Sequence, residues 1–267
     1  ILGTDPDKID LAENRRKFGK ILEELNIEAP QFDSAHSIDE AISIANNIGY
    51  PVLVRPSYVL GGRGMQIVYD DISLSQFVKQ ATEVSGEHPI LIDKFLEDAF
   101  EFDVDALCDG SEVIIGGIMQ HIEEAGVHSG DSSCVIPAYT LTNELRNKIK
   151  LYTKNLALRL KIKGLINIQF AIKDNVVYTL EVNPRSSRTV PFVSKVTDIP
   201  LAKYASQIST GVKIKDLKIT KIKKDLIAVK KPVFPFNKFP QQNIFLSPEM
   251  KSTGEAIGFD NKLGSAF

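Results

Sequence analysis

Residues 179–189 read TLEVNPRSSRT, a β-prone run that ends on Glu181 and Asn183 and leaves through Pro184 into two arginines, Arg185 and Arg188. A chain that only had to leave a sheet needs none of these charges. Successive side chains along a strand face opposite ways, so Thr179, Glu181 and Asn183 are expected on one face and Tyr178, Leu180 and Val182 on the other. The preceding run, NIQFAIKDN from Asn167, alternates likewise: Asn167 and Gln169 against Ile168, Phe170 and Ile172. Together the two runs read as a hairpin turning about Asp174 and Asn175. If the apolar sets share a face, parity requires an odd-length loop, for instance three residues with Asn175 left-handed. Gln169, Glu181 and Asn183 then meet.

Three oxygen-bearing side chains, one of them charged, suit a hard divalent cation such as Mg²⁺ that arrives with phosphate ligands of its own. The competing reading is that they hydrogen-bond one another on a solvated sheet. Pro184 fixes the exit, and Arg185 and Arg188 follow at a spacing that puts cations suited to phosphoryl oxygens beside the same face.

Outward from this hairpin, helices and strands alternate. A helix is expected from Asp7 as cap, with Leu11, Phe18, Leu22 and Leu25 at helical spacing and Arg15 on the same stripe. A second helix follows Ser37, which pairs with Glu40 as a capping box and stops at Gly49. PVLVRPSYV and MQIVYD read as strands joined by LGGRG, and a third helix is expected after Ser73 with Gln76 completing its box. PILIDKF, FEFDVDALCD and EVIIGGIMQHI are strand candidates, and GVHSGDSSC is a polar loop. A long helix is expected from about Thr142 to Leu160, with Leu145, Ile149, Tyr152, Leu156 and Leu160 inward. Pro200 and Gly211 bracket another, while VFPFNKFP and STGEAIGF read as edge strands and loops. The class is α+β with mixed or antiparallel sheets rather than a βαβ alternation.

Composition bounds the function. A chain of 267 residues, 43% hydrophobic, buries a real core as one large domain or two smaller ones. A net charge of −2 sets up no global field toward nucleic acid or an anionic membrane. The eight lysines in residues 213–231 lack interleaved arginines or aromatics and read as a solvated face. No apolar run reaches spanning length. Cys108 and Cys134, without CxxC spacing or a nearby histidine in the sequence, read as packing residues in a reduced, cytoplasmic protein. ILGTDPDKID, at the start, is expected to be internal sequence of a longer polypeptide.

Other candidates are ambiguous singly. LGGRG lacks the GK[ST] ending of a P-loop, and a glycine turn between strands is ordinarily a turn; as a flap of backbone N–H groups it could close over phosphates beside Arg55. Arg15, on an apolar stripe, needs either an anionic ligand or an acid for a salt bridge. His128 could act as a base, but a histidine among small polar residues is more often a hydrogen-bonding element lining a pocket. No Ser-His-Asp set or zinc spacing is present.

Taken together, RPSYVLGGRGM, DVDALCDG, GVHSGDSSCVIPAYTL, NIQFA, LEVNPRSSRTVPFVSK and FPFNKFP resemble the ATP-grasp unit of the carbamoyl-phosphate synthetase large chain, in the wording of its C-terminal half. The resemblance runs the length of the chain. It implies an ATP-grasp fold: a connecting helical segment at 1–28, a lid at 29–103 and a core at 104–267 carrying the metal and phosphate site. It implies that Arg15 and Arg55 meet nucleotide phosphates, that residues 94–101, with Lys94, Leu96 and Glu101, touch adenine and ribose, and that Gly126, Val127, His128 and Ser129 border the nucleotide. Gln169, Glu181 and Asn183 match divalent-metal positions, for two ions of Mg²⁺ or Mn²⁺. Arg185 and Arg188, with Asn183, match the catalytic positions beside the transferred phosphoryl group. The implied reaction is phosphorylation of carbamate by ATP, feeding pyrimidine and arginine biosynthesis. The implied partners are the remainder of the large chain and a glutaminase small chain, with neither nucleic acid nor membrane. Two other readings stand beside it: a nucleotide-binding unit without turnover, and another ATP-grasp carboxylate ligase such as a biotin carboxylase relative.

Overall fold

The computed structural model describes residues 1–56, 64–85, 89–219, 226–238, 241 and 243–267. The tip of the glycine-rich turn and the middle of the lysine run lie outside the described residues.

The helix expected from Asp7 is two helices. α1 (Pro6–Glu13) starts with Pro6 in its first turn, and Asn14 then drops out of helical geometry to cap α2 (Arg15–Glu24), its Oδ1 accepting from Lys17 N at 3.1 Å. An asparagine side chain competes well for such a backbone donor, so the stripe continues while the axis breaks. β1 (Phe32–Ala35) leads to α3 (Ile38–Ile48), where Ser37 Oγ accepts from Glu40 N at 3.2 Å. The return bond forms one residue earlier, with His36 N donating to Glu40 Oε2 at 2.8 Å, and Gly49 ends the helix at φ +83°. β2 (Val52–Pro56) and β3 (Gln66–Val68) pair as the hairpin foreseen. α4 (Asp71–Ser85) is capped by Asp70, whose Oδ1 accepts from Ser73 N at 2.7 Å, so Ser73 lies inside the first turn and the Ser73–Gln76 box does not form. With Asp70 as cap, Ser73 is the third helical residue and the N–H of Gln76 lies in the helix interior, which leaves the Ser73 hydroxyl no orphan donor to cap.

β4 (Ile90–Lys94) completes a four-stranded antiparallel sheet in the order β1-β4-β2-β3. Its faces differ. Val52, Val54, Ile90 and Ile92 pack with Ala41, Ala45 and Leu74 of the helices, and the alternate residues Leu53, Arg55, Leu91 and Asp93 look the other way.

The remaining strands are β5 (Phe100–Asp109), β6 (Val113–His121), β7 (Cys134–Ile136), β8 (Lys163–Lys173), β9 (Val176–Asn183), β10 (Ile227–Val233) and β11 (Gly254–Asp260). They form a seven-stranded antiparallel sheet in the order β11-β10-β7-β6-β5-β8-β9. The chain therefore crosses between sheets in residues 95–99, and β11 is an edge strand. One face, with Phe102, Val104, Ile166, Ile168 and Phe170, buries against α5 (Asn143–Arg159), which Thr142 caps, and against α2. On the other, Leu107 and Leu165 pack under α6 (Val190–Thr197) and α7 (Leu201–Ser209). A terminal helix, α8 (Leu263–Ala266), packs with β10 and β11. Where α6 and α7 stop, that second face turns polar: Asp103 and Asp105 on β5, Asn167 and Gln169 on β8.

The hairpin of β8 and β9 reaches the expected pairing by another route. Its loop has two residues, Asp174 and Asn175, both at positive φ (50° and 62°), and Lys173 pairs directly with Val176. Parity is restored by a bulge instead: Phe170 faces Thr179 but Gln169 faces Glu181, leaving Leu180 as the extra residue. Thr179 is consequently buried on the core side, contrary to the simple alternation, while Glu181 and Asn183 turn outward with Gln169.

Candidate functional site

A cavity of about 520 Å³ lies between the polar faces of the two sheets. The residues that the resemblance implied for the site all line it, while the LGGRG flap lies largely outside the described residues. Arg15 comes from α2; Arg55, Lys94 and Leu96 from the smaller sheet and the crossing; Glu101 from β5; Gly126, Val127, His128 and Ser129 from the loop after β6. Gln169, Glu181 and Asn183 come from β8 and β9, and Arg185 and Arg188 from the loop that follows.

Asp93 organises the upper wall. Its carboxylate accepts from Arg15 Nη2 at 2.7 Å and Arg55 Nε at 3.0 Å, while Arg15 Nη1 donates to Leu180 O at 3.0 Å. Burial alone would raise the Asp93 pKa; the guanidiniums of Arg55 and Arg15 hold it below the usual carboxylate value. Arg15 also stacks over Phe32, 4.4 Å from the ring centroid, and its buried Nε has no partner. Arg15 thus has the acid partner of one reading, and its guanidinium also lines the cavity.

Lys94 Nζ donates to Gly49 O and Tyr50 O, each at 2.9 Å, so its charge is anchored at the C-terminal end of α3, where carbonyls point outward. Glu101 Oε1 accepts from Gly126 N at 3.0 Å and so ties the polar loop to β5. Gly126 sits at φ +91°, and a Cβ there would lie 3.0 Å from the Phe95 ring, so only glycine fits. His128 Nδ1 accepts from Gly130 N at 3.0 Å, and burial lowers its pKa. It lines the cavity as a hydrogen-bonding element, the blander of its two readings. Below it, the fully buried Lys230 donates to Ser129 O at 2.8 Å.

The lower wall is the sheet face. Asn183 Nδ2 donates to Glu181 Oε1 at 2.8 Å and to Asn167 Oδ1 at 3.3 Å, and Arg185 Nη2 donates to Asn183 Oδ1 at 3.0 Å. The side chains bond to one another, as the hydrogen-bonding reading has it, and they converge with Gln169, which stands directly across from Glu181. One carboxylate and two amide oxygens are hard donors, few enough to need the remaining ligands from a phosphate chain; the set fits a divalent cation on that basis.

Beneath this wall runs a buried network. Asn167 Nδ2 donates to Asp103 Oδ1 (3.0 Å) and Asp105 Oδ1 (3.1 Å), and His121 Nε2 lies 2.6 Å from Asp103 Oδ2. Burial opposes a charged imidazole at His121; its contacts with the carboxylates of Asp103 and Glu101 outweigh it and raise the pKa well above the usual histidine value. Burial raises Asp105 to about 6, against the hydrogen bonds from Thr189 and Ser187. The expectation that neither cysteine has a histidine nearby is corrected here, because His121 pairs across strands with Cys134. Burial raises both thiols, Cys108 to about 11, which keeps them unreactive.

The family of carbamoyl-phosphate synthase L chain ATP-binding domains matches residues 14–217.

The chain belongs to that family.

Over its whole length it is 59% identical to the carbamoyl phosphate synthase large chain of Archaeoglobus fulgidus, covering 25% of that protein. It is 55% identical to the C-terminal section of the large chain from Methanocaldococcus jannaschii, covering 45% of it. The chain thus spans about a quarter of the full-length relatives it matches. Among solved structures, biotin carboxylase from Campylobacter jejuni is similar over 87% of this chain and 53% of its own, with a TM-score of 0.73 and 17% identity. The biotin carboxylase domain of the Hydrogenobacter thermophilus 2-oxoglutarate carboxylase, with MgADP, gives 0.74 at 20% identity over 86% of this chain and 52% of its own. The fold is ATP-grasp. The sequence offered no role for Asp93, Asp103, Asp105 and His121, and it set Asn167 on the polar face without naming its partners. An available signal was the acid placed inside an otherwise apolar strand, as in ILIDK and FEFDVDALCD.

Proposed function

We propose that this chain is the unit that phosphorylates carbamate with ATP, releasing ADP and carbamoyl phosphate. The observation that carries the reading is the convergence of Gln169, Glu181 and Asn183 with Arg185 and Arg188 on one wall, opposite Arg15 and Arg55 on the other. In this reading the four-stranded sheet and its helices form the lid, the seven-stranded sheet the core and residues 1–28 the connecting segment; because β5 starts at Phe100 in the larger sheet, the lid ends before it rather than at residue 103. Arg15 and Arg55, held by Asp93, face the phosphate chain; Lys94, Leu96 and Glu101 border adenine and ribose; Gly126, Val127, His128 and Ser129 cover the nucleotide. Gln169, Glu181 and Asn183 would hold Mg²⁺ or Mn²⁺, two ions in all, which when bound offset phosphoryl charge.

Carbamate is already an anion, so its oxygen attacks the γ-phosphorus without losing a proton. The bond from that phosphorus to the β–γ bridging oxygen breaks, and ADP leaves with the electron pair. This chain's work is alignment and charge compensation by Arg185 and Arg188. No acid-base pair is required, which suits a site where His128 Nδ1 is occupied by Gly130. The remainder of the large chain and a glutaminase small chain are the partners, and pyrimidine and arginine synthesis in the cytoplasm is the setting.

The test is ATP formation from ADP and carbamoyl phosphate by the natural full-length polypeptide. Arg185→Ala should lose about a hundredfold in rate, on the order of 3 kcal/mol, with its fold retained; unchanged activity removes the role. A second reading, nucleotide binding without turnover, draws on the quarter-length coverage. Calorimetric binding of MgATP with no phosphoryl transfer would select it, and carboxylate-dependent ADP release with other substrates would select a carboxylase-like ligase.

A further inference from the structure

The loop carrying both arginines, residues 184–189, is tied to β9 by the Arg185–Asn183 bond and, further along, to the interior of the sheet through a single carboxylate. Ser187 and Thr189 flank Arg188, and both hydroxyls donate to the same carboxylate two strands away: Ser187 Oγ to Asp105 Oδ1 at 2.7 Å, Thr189 Oγ1 to Asp105 Oδ2 at 2.6 Å. The hydroxyls are also 2.6 Å from each other, and Thr189 N donates to Ser187 Oγ at 3.2 Å. Thr189 occupies the N-cap position of α6 yet makes no side-chain cap bond, so its hydroxyl forgoes the local partner a threonine there would usually take. Asp105 has no solvent exposure, and an uncompensated carboxylate there would be costly, so its three donors are what allow it to stay. The third, Asn167, sits under Asn183, which links the same carboxylate to the metal-facing triad.

We propose that Asp105 is a positioning residue for phosphoryl transfer, setting the loop so that Arg185 and Arg188 meet the γ-phosphoryl group. It touches neither nucleotide nor carbamate and acts through Ser187, Thr189 and Asn167. The proposal rests on the phosphoryl-transfer reading of the same cavity. It predicts a selective loss: the arginines move while the adenine side of the site, held by Glu101 and Lys94, does not.

The experiment uses the natural full-length polypeptide with two variants, Asp105→Ala and Ser187→Ala/Thr189→Val; the second removes the same bonds from the loop side and keeps the core carboxylate. Two readouts are taken: kcat and KM for ADP in ATP formation from carbamoyl phosphate, and calorimetric affinities for MgADP and a non-hydrolysable MgATP analogue. Expected is a fall in kcat of about a hundredfold, as for an ångström-scale misplacement, with KM for ADP within about twofold. The preference for the analogue over ADP should shrink while ADP affinity holds. Asp105→Asn and Thr189→Ser, which keep polar partners, should recover most of both. Wild-type values in the double variant overturn the proposal, and so does ADP affinity that falls in step with kcat. If the wild-type chain transfers no phosphoryl group, the functional reading fails separately, and the analogue-to-ADP ratio still decides the positioning role.

Discussion

Asp93→Asn isolates the electrostatics of the upper wall. In the wild type one buried carboxylate serves two guanidiniums, at 2.7 Å and 3.0 Å, with side-chain exposures of 6% for Arg15, 20% for Arg55 and 8% for Asp93. Neutralising it leaves two like charges facing each other in a poorly solvated wall. Breaking a buried pair costs about 3–5 kcal/mol. The lower end applies, because Arg15 keeps its bond to Leu180 O and its stack on Phe32, and because the Arg55 side chain is partly exposed and so partly screened by solvent. A loss of about 3 kcal/mol corresponds to a melting point roughly 6–12 °C lower for a chain of this size. Thermal unfolding followed by circular dichroism measures it. The same experiment with saturating ATP is the sharper half: phosphates placed between Arg15 and Arg55 would replace the missing charge, so the gap to wild type should narrow. The pH dependence has a definite sign. A depressed Asp93 pKa contributes stability that is present above the unfolded value, about 3.9, and is lost as pH falls through the folded value, so the gap closes in acid. A gap under about 2 °C without nucleotide, set against that scale, refutes the role of the ion pairs. A gap that ATP leaves unchanged refutes the placing of the phosphates.

Asp105 carries the opposite sign: its folded pKa, about 6, is raised, so the stability it contributes is full below its unfolded value and is lost as pH rises through 6. Wild type should therefore lose about 2–3 kcal/mol relative to Asp105→Asn between pH 4 and 7, read from urea unfolding at each pH. Deleting Leu180 should convert the bulged ladder into a regular one with Glu181 and Asn183 still on the cavity face; a shortened chain that folds but no longer binds nucleotide contradicts the parity account. Thr142→Ala should cost about 1 kcal/mol through loss of the cap to Leu145 N, measured by the same urea titration with nucleotide affinity unchanged.

What could be read from the sequence was whatever depends on neighbours along the chain. Ser37, Thr142 and Gly49 announce helix ends because caps act within one turn, and the stripe Ile149, Tyr152, Leu156 and Leu160 announces a buried helix face. Asn14 and Asp70 were missed for a related reason: several polar residues compete for the same donors, and only packing decides which wins. Asp93, Asp103 and Asp105 were not assigned roles because their partners are distant in sequence, 78 residues away for Arg15 and 84 for Thr189. An acid inside an otherwise apolar run such as ILIDK signals that a partner is needed, but nothing local says which residue supplies it.

The hairpin shows how a correct grouping can follow from an incorrect device. Apolar residues on β8 and β9 must share the core face, and that constraint is worth far more than the choice between a two-residue and a three-residue turn. The Asp174–Asn175 pair favours the tight turn, whose twist matches the strands, so the extra residue is displaced down the ladder to Leu180. The displacement has a consequence for the site. At the bulge the backbone turns its carbonyl to Arg15, and beyond it Glu181 and Asn183 face the cavity. One surplus residue thus places an acceptor for the upper wall and the oxygen donors of the lower wall on neighbouring positions of a single strand.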